Sequence, residues 1–437
     1  MKLLLVCMLA LLMAVPAMFI YQIVYDRSER AQEAIEQVGQ RYGGPQTLMG
    51  PTLFVPYSIE TTDEEGNSVQ ATRYAQIHAE TGSASGNMSA ETKTSGIHEI
   101  PIYSADVSFQ AEFSRQRVLD VLPEEALLDW SEVHMLIGLT NPRATTGTMQ
   151  AELNGTPLLV EPSFSQSSGI TLSRDHRYLI SALPGQSEDQ DRFWINARIS
   201  FTGAERISIA PFARDSVIEL RSDWDDPRFE GVFQQTLYQP HAEGNGFTAR
   251  WEVPYQARRI AGFRTDVSSR GLMWTDQVIG VRLVMAMTPY QSVERALKYS
   301  VLFIGFVFLA YFLMEITSNK RAHAAQYILV GLAQCMFFLL LLALSEKIGF
   351  DLAFLFAAMM TVLMTAFYAM SVFKSRLYGL RAVGIFTLVY TTIFVLMRME
   401  DFAMLAGAFS GFLAIGATMY FTRDIDWYGL TEPAEAG

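Results

Sequence analysis

Six stretches of this chain are apolar for long enough to cross a lipid bilayer, and no other feature restricts its fold so tightly. A spanning helix needs roughly 20 mostly apolar residues, and in hydrocarbon it must satisfy its own backbone hydrogen bonds. Leu3–Val24 qualifies, with Pro16 inside it. Tyr299–Ile316, Gln326–Leu344, Phe350–Phe373, Ala382–Met397 and Phe402–Phe421 follow. The loops between the last five are short, so these five form a bundle. Between the first and second stretches the chain reads like an ordinary water-soluble domain. Two regions with different solvents are therefore expected: an N-terminal transmembrane anchor (1–25), a large extracytoplasmic β-rich, sandwich-like domain (26–296), a five-helix transmembrane bundle (297–423) and a cytoplasmic tail (424–437).

Orientation follows from where Lys and Arg gather in the short loops. Lys320 and Arg321 lie in one loop, and Lys374, Arg376 and Arg381 follow Phe373. The alternate loops set Lys347 against Glu346 and Asp351, and Arg398 against Glu400 and Asp401. The basic loops belong in the cytoplasm, which puts both termini there and the large domain outside, as in a multi-pass protein of a bacterial inner membrane. The first stretch has one lysine before it, an apolar run longer than a usual signal core, and no convincing small-x-small cleavage site, so it is read as an uncleaved anchor. Cys7 lacks the preceding small residue of a lipoprotein signal. With Cys335 it reads as a small buried hydrophobe.

Residues 26–296 hold 23 basic and 36 acidic side chains, a net of −13. That balance argues against nucleic acid as a partner and against a polybasic hold on anionic lipid. The region has no cysteine, so its stability must come from a hydrophobic core. Asp26–Gly39 has Ala31, Ala34, Ile35 and Val38 at helical spacing, stopped by Gly43, Gly44 and Pro45. Strands are then expected at Arg73–Glu80, Gly96–Ile102, Ala105–Phe113, Val133–Leu139, Phe193–Phe201, Ile207–Pro211, Ser216–Arg221 and Phe247–Val253. Alternation is clear in Asp106–Phe113 and Trp194–Phe201, which favours antiparallel sheets with one wet face. The Ser/Gly/Thr-rich segment Thr81–Ser95 reads as a mobile hairpin tip. Leu53-Phe-Val-Pro-Tyr57, Ile100-Pro-Ile-Tyr103 and Trp251-Glu-Val-Pro-Tyr255 each read as a β run ending near proline and an aromatic. They suit either a duplicated sandwich or one strand-ending habit used three times.

The most distinctive segment is Leu179–Gly231, with Ser181-Ala-Leu-Pro-Gly185, Phe201-Thr-Gly-Ala-Glu-Arg-Ile-Ser-Ile-Ala-Pro-Phe212 and Ser222-Asp-Trp-Asp-Asp-Pro-Arg-Phe-Glu-Gly231. Together with Gly50-Pro-Thr-Leu-Phe-Val-Pro-Tyr57, Tyr290–Tyr299, Tyr311–Ile316, Gln326–Ala333 and Leu344–Phe350, it resembles the CreD family of inner-membrane proteins over nearly the whole chain. The resemblance implies a component of cell envelope integrity and stress response, under two-component control in some bacteria and associated with colicin tolerance. It brings no catalytic residues. The sequence departs from the family in starting almost directly at the anchor, which leaves no room for an N-terminal cytoplasmic partner domain.

Chemistry is sparse. The six histidines are scattered, with no short-spaced pair, so zinc is not expected. Asp223, Asp225, Asp226 and Glu230 lack the spacing and central glycine of a calcium loop, and a solvated turn anchored by Trp224 and Phe229 is the plainer reading. Glu188, Asp189 and Asp191 form an acidic patch that offers acids for glycan cleavage, as any acidic loop does. No cofactor is expected. With Trp224, Asp225 and Asp226, that patch makes up the candidate functional surface of the β-rich domain. In the membrane half, Glu315 and Glu346 lie near interfaces, where Lys320 or Arg321 and Lys347 are at hand as partners. Gln334 lies mid-span and is expected to bond across helices. Glu294 and Arg295, with Tyr290 and Lys298, make a junction helix that either orients the domain on the membrane or merely snorkels its charges.

Three functions follow in order of support. The first is a non-enzymatic envelope component that binds an envelope protein or polymer through its β domain, the bilayer being its other partner. The second is a transporter or channel for a small amphiphile, weakened by the absence of central charges. The third is a membrane-bound glycan or lipid hydrolase using Glu188, Asp189 or Asp191.

Overall fold

The computed structural model describes residues 2–62, 67–95, 98–162, 177–183, 191–241, 245–258, 262–265, 277–285, 289–318, 320, 322–398 and 403–423. It separates into two compact units, residues 1–32 with 286–437, and residues 33–285.

The N-terminal apolar run folds as α1 (Lys2–Leu12) and α2 (Ala14–Arg41). Pro16 has no N–H to give to Leu12, and the interruption between the two helices falls at Met13, one turn before it. The expected amphipathic helix is the continuation of α2. Gly43 and Gly44 end it with φ of 105° and 66°, the left-handed geometry that a glycine adopts without a Cβ clash. Val6, Leu9, Met13, Ile20 and Val24 are buried in the core of the first unit together with residues of the C-terminal helices.

Those helices are α4 (Pro289–Lys298), α5 (Ser300–Ser318), α6 (Ala324–Ile348), α7 (Phe350–Phe373), α8 (Arg376–Arg398) and α9 (Ala403–Thr422). Together with the N-terminal helix, α5 to α8 are long and apolar enough to cross a membrane. Helix α9 is 20 residues long, close to the span expected there, and its described apolar stretch is Gly407–Tyr420. Outward faces carry Leu355, Phe367, Leu388 and Phe412, all more than 60% exposed. A helix apolar on its exposed face as well as its packed one has lipid as its solvent. The interior is aromatic: Tyr390 lies within 4.8 Å of the ring centres of both Phe303 and Phe337, in edge-to-face geometry.

The second unit is built from two sheets made continuous by one strand. The first sheet runs β13 (Pro227–Gly231), β17 (Ile279–Leu283), β11 (Arg206–Ala210), β1 (Gln46–Thr62), β5 (His134–Leu139), β9 (Arg177–Ala182) and β8 (Glu161–Pro162). Short β4 (Leu127–Leu128) adds to β1, and β16 (Phe263–Arg264) adds to β2. The second sheet runs β7 (Thr156–Leu158), β6 (Gln150–Leu153), β10 (Arg192–Ala204), β3 (His98–Ser114), β2 (Ser68–Ser95), β12 (Ala213–Ser222), β15 (Phe247–Val253) and β14 (Leu237–Pro240). Strand β2 is 28 residues long. Its first part pairs with β1 in one sheet, and from Ala79 onward it pairs with β3 and β12 in the other. Seven-residue α3 (Arg115–Val121) follows β3.

Two expectations fail here. Thr81–Met88 is not a mobile tip but a strand between β3 and β12 in the second sheet, and Ser89–Ser95 pairs on with β3 alone as one arm of a hairpin. The small residues of Thr81–Met88 are there because neighbours come close: a Cβ on Gly82 would stand 2.6 Å from the Phe212 ring, and one on Gly86 would stand 2.6 Å from Leu220. The proline echoes are not equivalent either. Pro56 and Pro101 lie inside β1 and β3, whereas Pro254 follows the end of β15. The duplicated-sandwich reading loses its support.

The two sheets meet where β11 gives way to β12. Phe212, fully buried, packs edge-on against Phe109, and its carbonyl accepts a hydrogen bond from His78 Nδ1 at 3.2 Å. Arg258, also buried, donates to the Ala213 carbonyl. Burial, and then the Arg258 charge, lower the His78 pKa to about 4 against the opposing pull of the Phe212 carbonyl. In the unfolded chain this imidazole titrates near its ordinary value of about 6.5. Between those values the unfolded chain binds the extra proton, so stability is complete above about pH 6.5 and falls as pH drops towards 4. The loss approaches about 3 kcal/mol. Denaturant titrations across this range are expected to show the decline, and His78→Gln is expected to flatten it. An equal slope in the variant would assign the decline to other groups.

Candidate functional site

The polar groups of the membrane unit lie at its helix ends and in its core. Glu315 is buried in the last turn of α5. Its carboxylate accepts the Ala322 N–H at 2.9 Å and the Tyr327 hydroxyl at 2.7 Å, which ties the end of α5 to the start of α6. Helix α6 opens on a capping box between His323 and Gln326. Gln334, on the buried face of α6, accepts the Tyr390 hydroxyl of α8 at 2.7 Å.

At the far end of α6, Glu346 accepts two bonds from Arg27 Nη1 on α2, at 2.9 and 3.3 Å, and one from the Tyr290 hydroxyl on α4 at 3.1 Å. Its partner is thus 319 residues away rather than the adjacent Lys347. Nothing in sequence spacing signals such a pair. On α4, Glu294 pairs with Lys298 at 3.2 Å and lies 3.4 Å from the Tyr21 hydroxyl. Arg295, on the same helix, is engaged as well. In this unit the junction helix is therefore joined to the N-terminal helix and to α6.

In the β unit, Glu188 and Asp189 lie outside the described residues. Asp191 is exposed, and its carbonyl accepts the Arg115 N–H at 2.9 Å. The carboxylates around Trp224 pin loops. Asp223 accepts Ser89 Oγ (2.8 Å) and the Ala90 N–H (2.7 Å), and Asp225 accepts the Gly246 N–H (3.1 Å). Asp226 is exposed, and half-buried Trp224 packs on the core. Glu230 forms a two-point pair with Arg282 at 2.5 and 3.3 Å. Among the described residues no group of three His, Cys, Asp or Glu side chains converges as metal ligands would.

Sequence reasoning missed an open polar cleft of about 370 Å³ beside α3. Glu80 of β2 accepts from Arg214 at 2.8 Å and pairs with Arg117 at 3.5 Å. Glu112 of β3 accepts from Arg192 at 2.8 Å and from Thr81 at 3.0 Å, and Asp120 accepts from Gln116 at 2.8 Å. The cleft comes from register, Thr81 lying opposite Glu112 across the β2–β3 ladder. Its carboxylates are already engaged by guanidinium, hydroxyl or amide donors. The arrangement suits recognition of a polar surface better than proton transfer.

Comparison with known proteins points to an inner-membrane family. The family model described as "Inner membrane protein CreD" matches residues 1–428. The inner membrane protein CreD of Escherichia coli strain K12 is 28% identical over 428 residues, covering 97% of this chain and 92% of that protein. Among solved structures, a candidate nutrient binding protein from Legionella pneumophila aligns over 60% of this chain and 79% of its own, at 6% identity and a TM-score of 0.28. That likeness is too slight to carry an argument.

Proposed function

We propose, for a chain that belongs to the CreD family of inner membrane proteins, a non-catalytic role in cell envelope integrity, exerted by binding through a β unit held outside the cytoplasm. The observation that carries this reading is the state of the bundle's polar groups. Glu315, Gln334 and Glu346 each spend their oxygens on partners within the unit. They act as cross-links between helices. Stations of an ion or substrate path would face a shared cavity. With the bundle read as scaffold, recognition falls to the β unit, where net negative charge and an ion-paired cleft offer polar surface. This weighs against the transporter reading.

Orientation is supported by the basic loops and by which helix ends meet. Tyr378 donates to the Thr317 carbonyl at 2.7 Å, at the ends flanked by Lys320 and by Lys374 and Arg376. Arg27 pairs with Glu346 and Arg398 pairs with Asp351 at the ends poor in net positive charge. Chain connectivity leads from Arg27 into the β unit, which supports the reading that this unit lies on the outer side.

The test is complementation of a strain lacking the protein. A chain with residues 33–285 replaced by a flexible linker is expected to reach the membrane in equal amount and to leave detergent sensitivity uncorrected. In the full chain, a single cysteine introduced at exposed Val69 is expected to react with a membrane-impermeant maleimide in intact spheroplasts. Restored resistance without the β unit would move the function to the bundle. Labelling only after lysis would invert the topology.

A further inference from the structure

A second cleft of the β unit, of about 340 Å³, lies at the first sheet, where β1, β2, β4 and the start of β5 meet. We infer that it is a sugar-binding subsite that takes a neutral pyranose ring of an envelope glycan. The inference rests on the binding-module reading above and names the class of ligand.

The floor is aromatic and rigid. Tyr74, half-buried, is laid flat on Phe54 with ring centres 4.9 Å apart and planes 15° from parallel, and Phe54 itself is fully buried. Register explains the pairing: Pro56 lies opposite Tyr74 and His134 lies opposite Phe54, so these residues share one sheet face. Pro56 extends the flat apolar surface. Leu127, 64% exposed, lines the cleft from β4 although nothing in the fold requires an apolar side chain there. A pyranose has one such apolar face, formed by its axial C–H groups, and it stacks on the electron-rich face of an aromatic ring.

The rim is polar, as the edge of a sugar requires. Asp129, Glu132, Ser58, Thr72 and His134 line it too, with Tyr57 beside them. His134 Nδ1 lies 2.7 Å from the Glu132 carbonyl, to which only an N–H can bond, so in the neutral ring Nε2 is an acceptor. Asp129 is held in place by the Ser131 N–H (2.9 Å) and hydroxyl (2.6 Å). Carboxylate and imidazole acceptors match the hydroxyl donors of a sugar, whereas two carboxylates repel a phosphorylated or uronic-acid polymer. A few oriented polar groups around an apolar floor, in a volume of this size, is the usual composition of a small-ligand site. The chemistry is common to amino-sugar polymers of the wall and to neutral glucans, and the experiment separates them.

Full-length protein in lipid nanodiscs, free of maltoside detergent, is titrated by calorimetry with chitotetraose and with maltotetraose. Saturable binding of at least one is expected, and the one that binds tells wall amino sugar from glucan. Leu127→Glu replaces an apolar wall of the cleft with a charged, hydrated side chain at an exposed position without touching the core, and is expected to weaken binding at least tenfold. Tyr74→Ala is expected to abolish binding, and Tyr74→Phe, which keeps the ring on Phe54, to retain most of it. Should Tyr74→Ala fail to fold, Leu127→Glu decides. Wild-type affinity in Leu127→Glu, or no binding of either oligosaccharide, overturns the sugar subsite. If sugar binding fails but complementation still requires residues 33–285, the binding-module reading stands with another ligand. If both fail, both readings fall.

Discussion

Replacing Phe212 with alanine is expected to remove about 3–5 kcal/mol from the stability of the β unit, the usual loss for a fully buried phenylalanine. The position makes the upper part of that range the expectation. Phe212 follows β11 and precedes β12, where the chain leaves one sheet for the other. Its ring fills space that two glycines keep open: a Cβ on Gly50 would lie 2.5 Å from it and one on Gly82 2.6 Å. The surroundings are strand backbone on both sides, which cannot collapse into the void as loose side chains would. Gly82→Ala alone is expected to cost about 1–3 kcal/mol by overpacking. In the double variant the new methyl occupies part of the cavity, so the two losses should combine to less than their sum. Five of the six tryptophans lie between residues 33 and 285, so denaturation of the full chain in nanodiscs, followed by tryptophan fluorescence, reports on this unit. A Phe212→Ala loss below about 1 kcal/mol, well under the usual range, would mean that the sheets are held together elsewhere.

Glu315→Ala is expected to destabilise the membrane unit by about 2–5 kcal/mol. Two buried donors, the Ala322 N–H and the Tyr327 hydroxyl, lose an acceptor at once. An orphaned buried group costs about 1–3 kcal/mol, and no water replaces the carboxylate in a packed helix interface. Glu315→Gln keeps one acceptor oxygen and should cost less. Tyr327→Phe removes a donor and shows how much of the effect runs through that hydroxyl. Thermal unfolding of the three variants in nanodiscs provides the comparison. The order alanine, then glutamine, then wild type is expected for a structural cross-link. A variant that keeps wild-type stability yet no longer complements the deletion strain would instead make Glu315 a working residue of the bundle.

Much of the architecture is legible in the sequence because lipid imposes its condition on each segment separately. A run such as Phe350–Phe373 must be helical whatever its neighbours are, since hydrocarbon offers its backbone no other partner. Alternation in Asp106–Phe113 likewise reports a strand with one buried face. The expected start and end of β15, Phe247 and Val253, are those observed. The family can also be read from the sequence, since motifs such as Ala210-Pro-Phe212 keep their order along the chain.

Other features are decided only when the chain comes together. Thr81–Ser95 has the composition of a loop, because small residues mark a loop when nothing is known to lie against them. Here they mark the close approach of Phe212 and Leu220 to a central strand. The ion pair of Arg27 with Glu346 joins residues 319 apart, and no local pattern carries that information. The stacked Phe54 and Tyr74, with Leu127 and His134 beside them, become one surface only through the pairing of β1 with β2, β4 and β5. Hydropathy and period are properties of single segments, so the sequence alone determined the spans, the β-rich class and the family. Cross-strand register and the meeting of helix ends are relations between segments, so only the tertiary structure decided which side chains form clefts and which polar groups serve as cross-links.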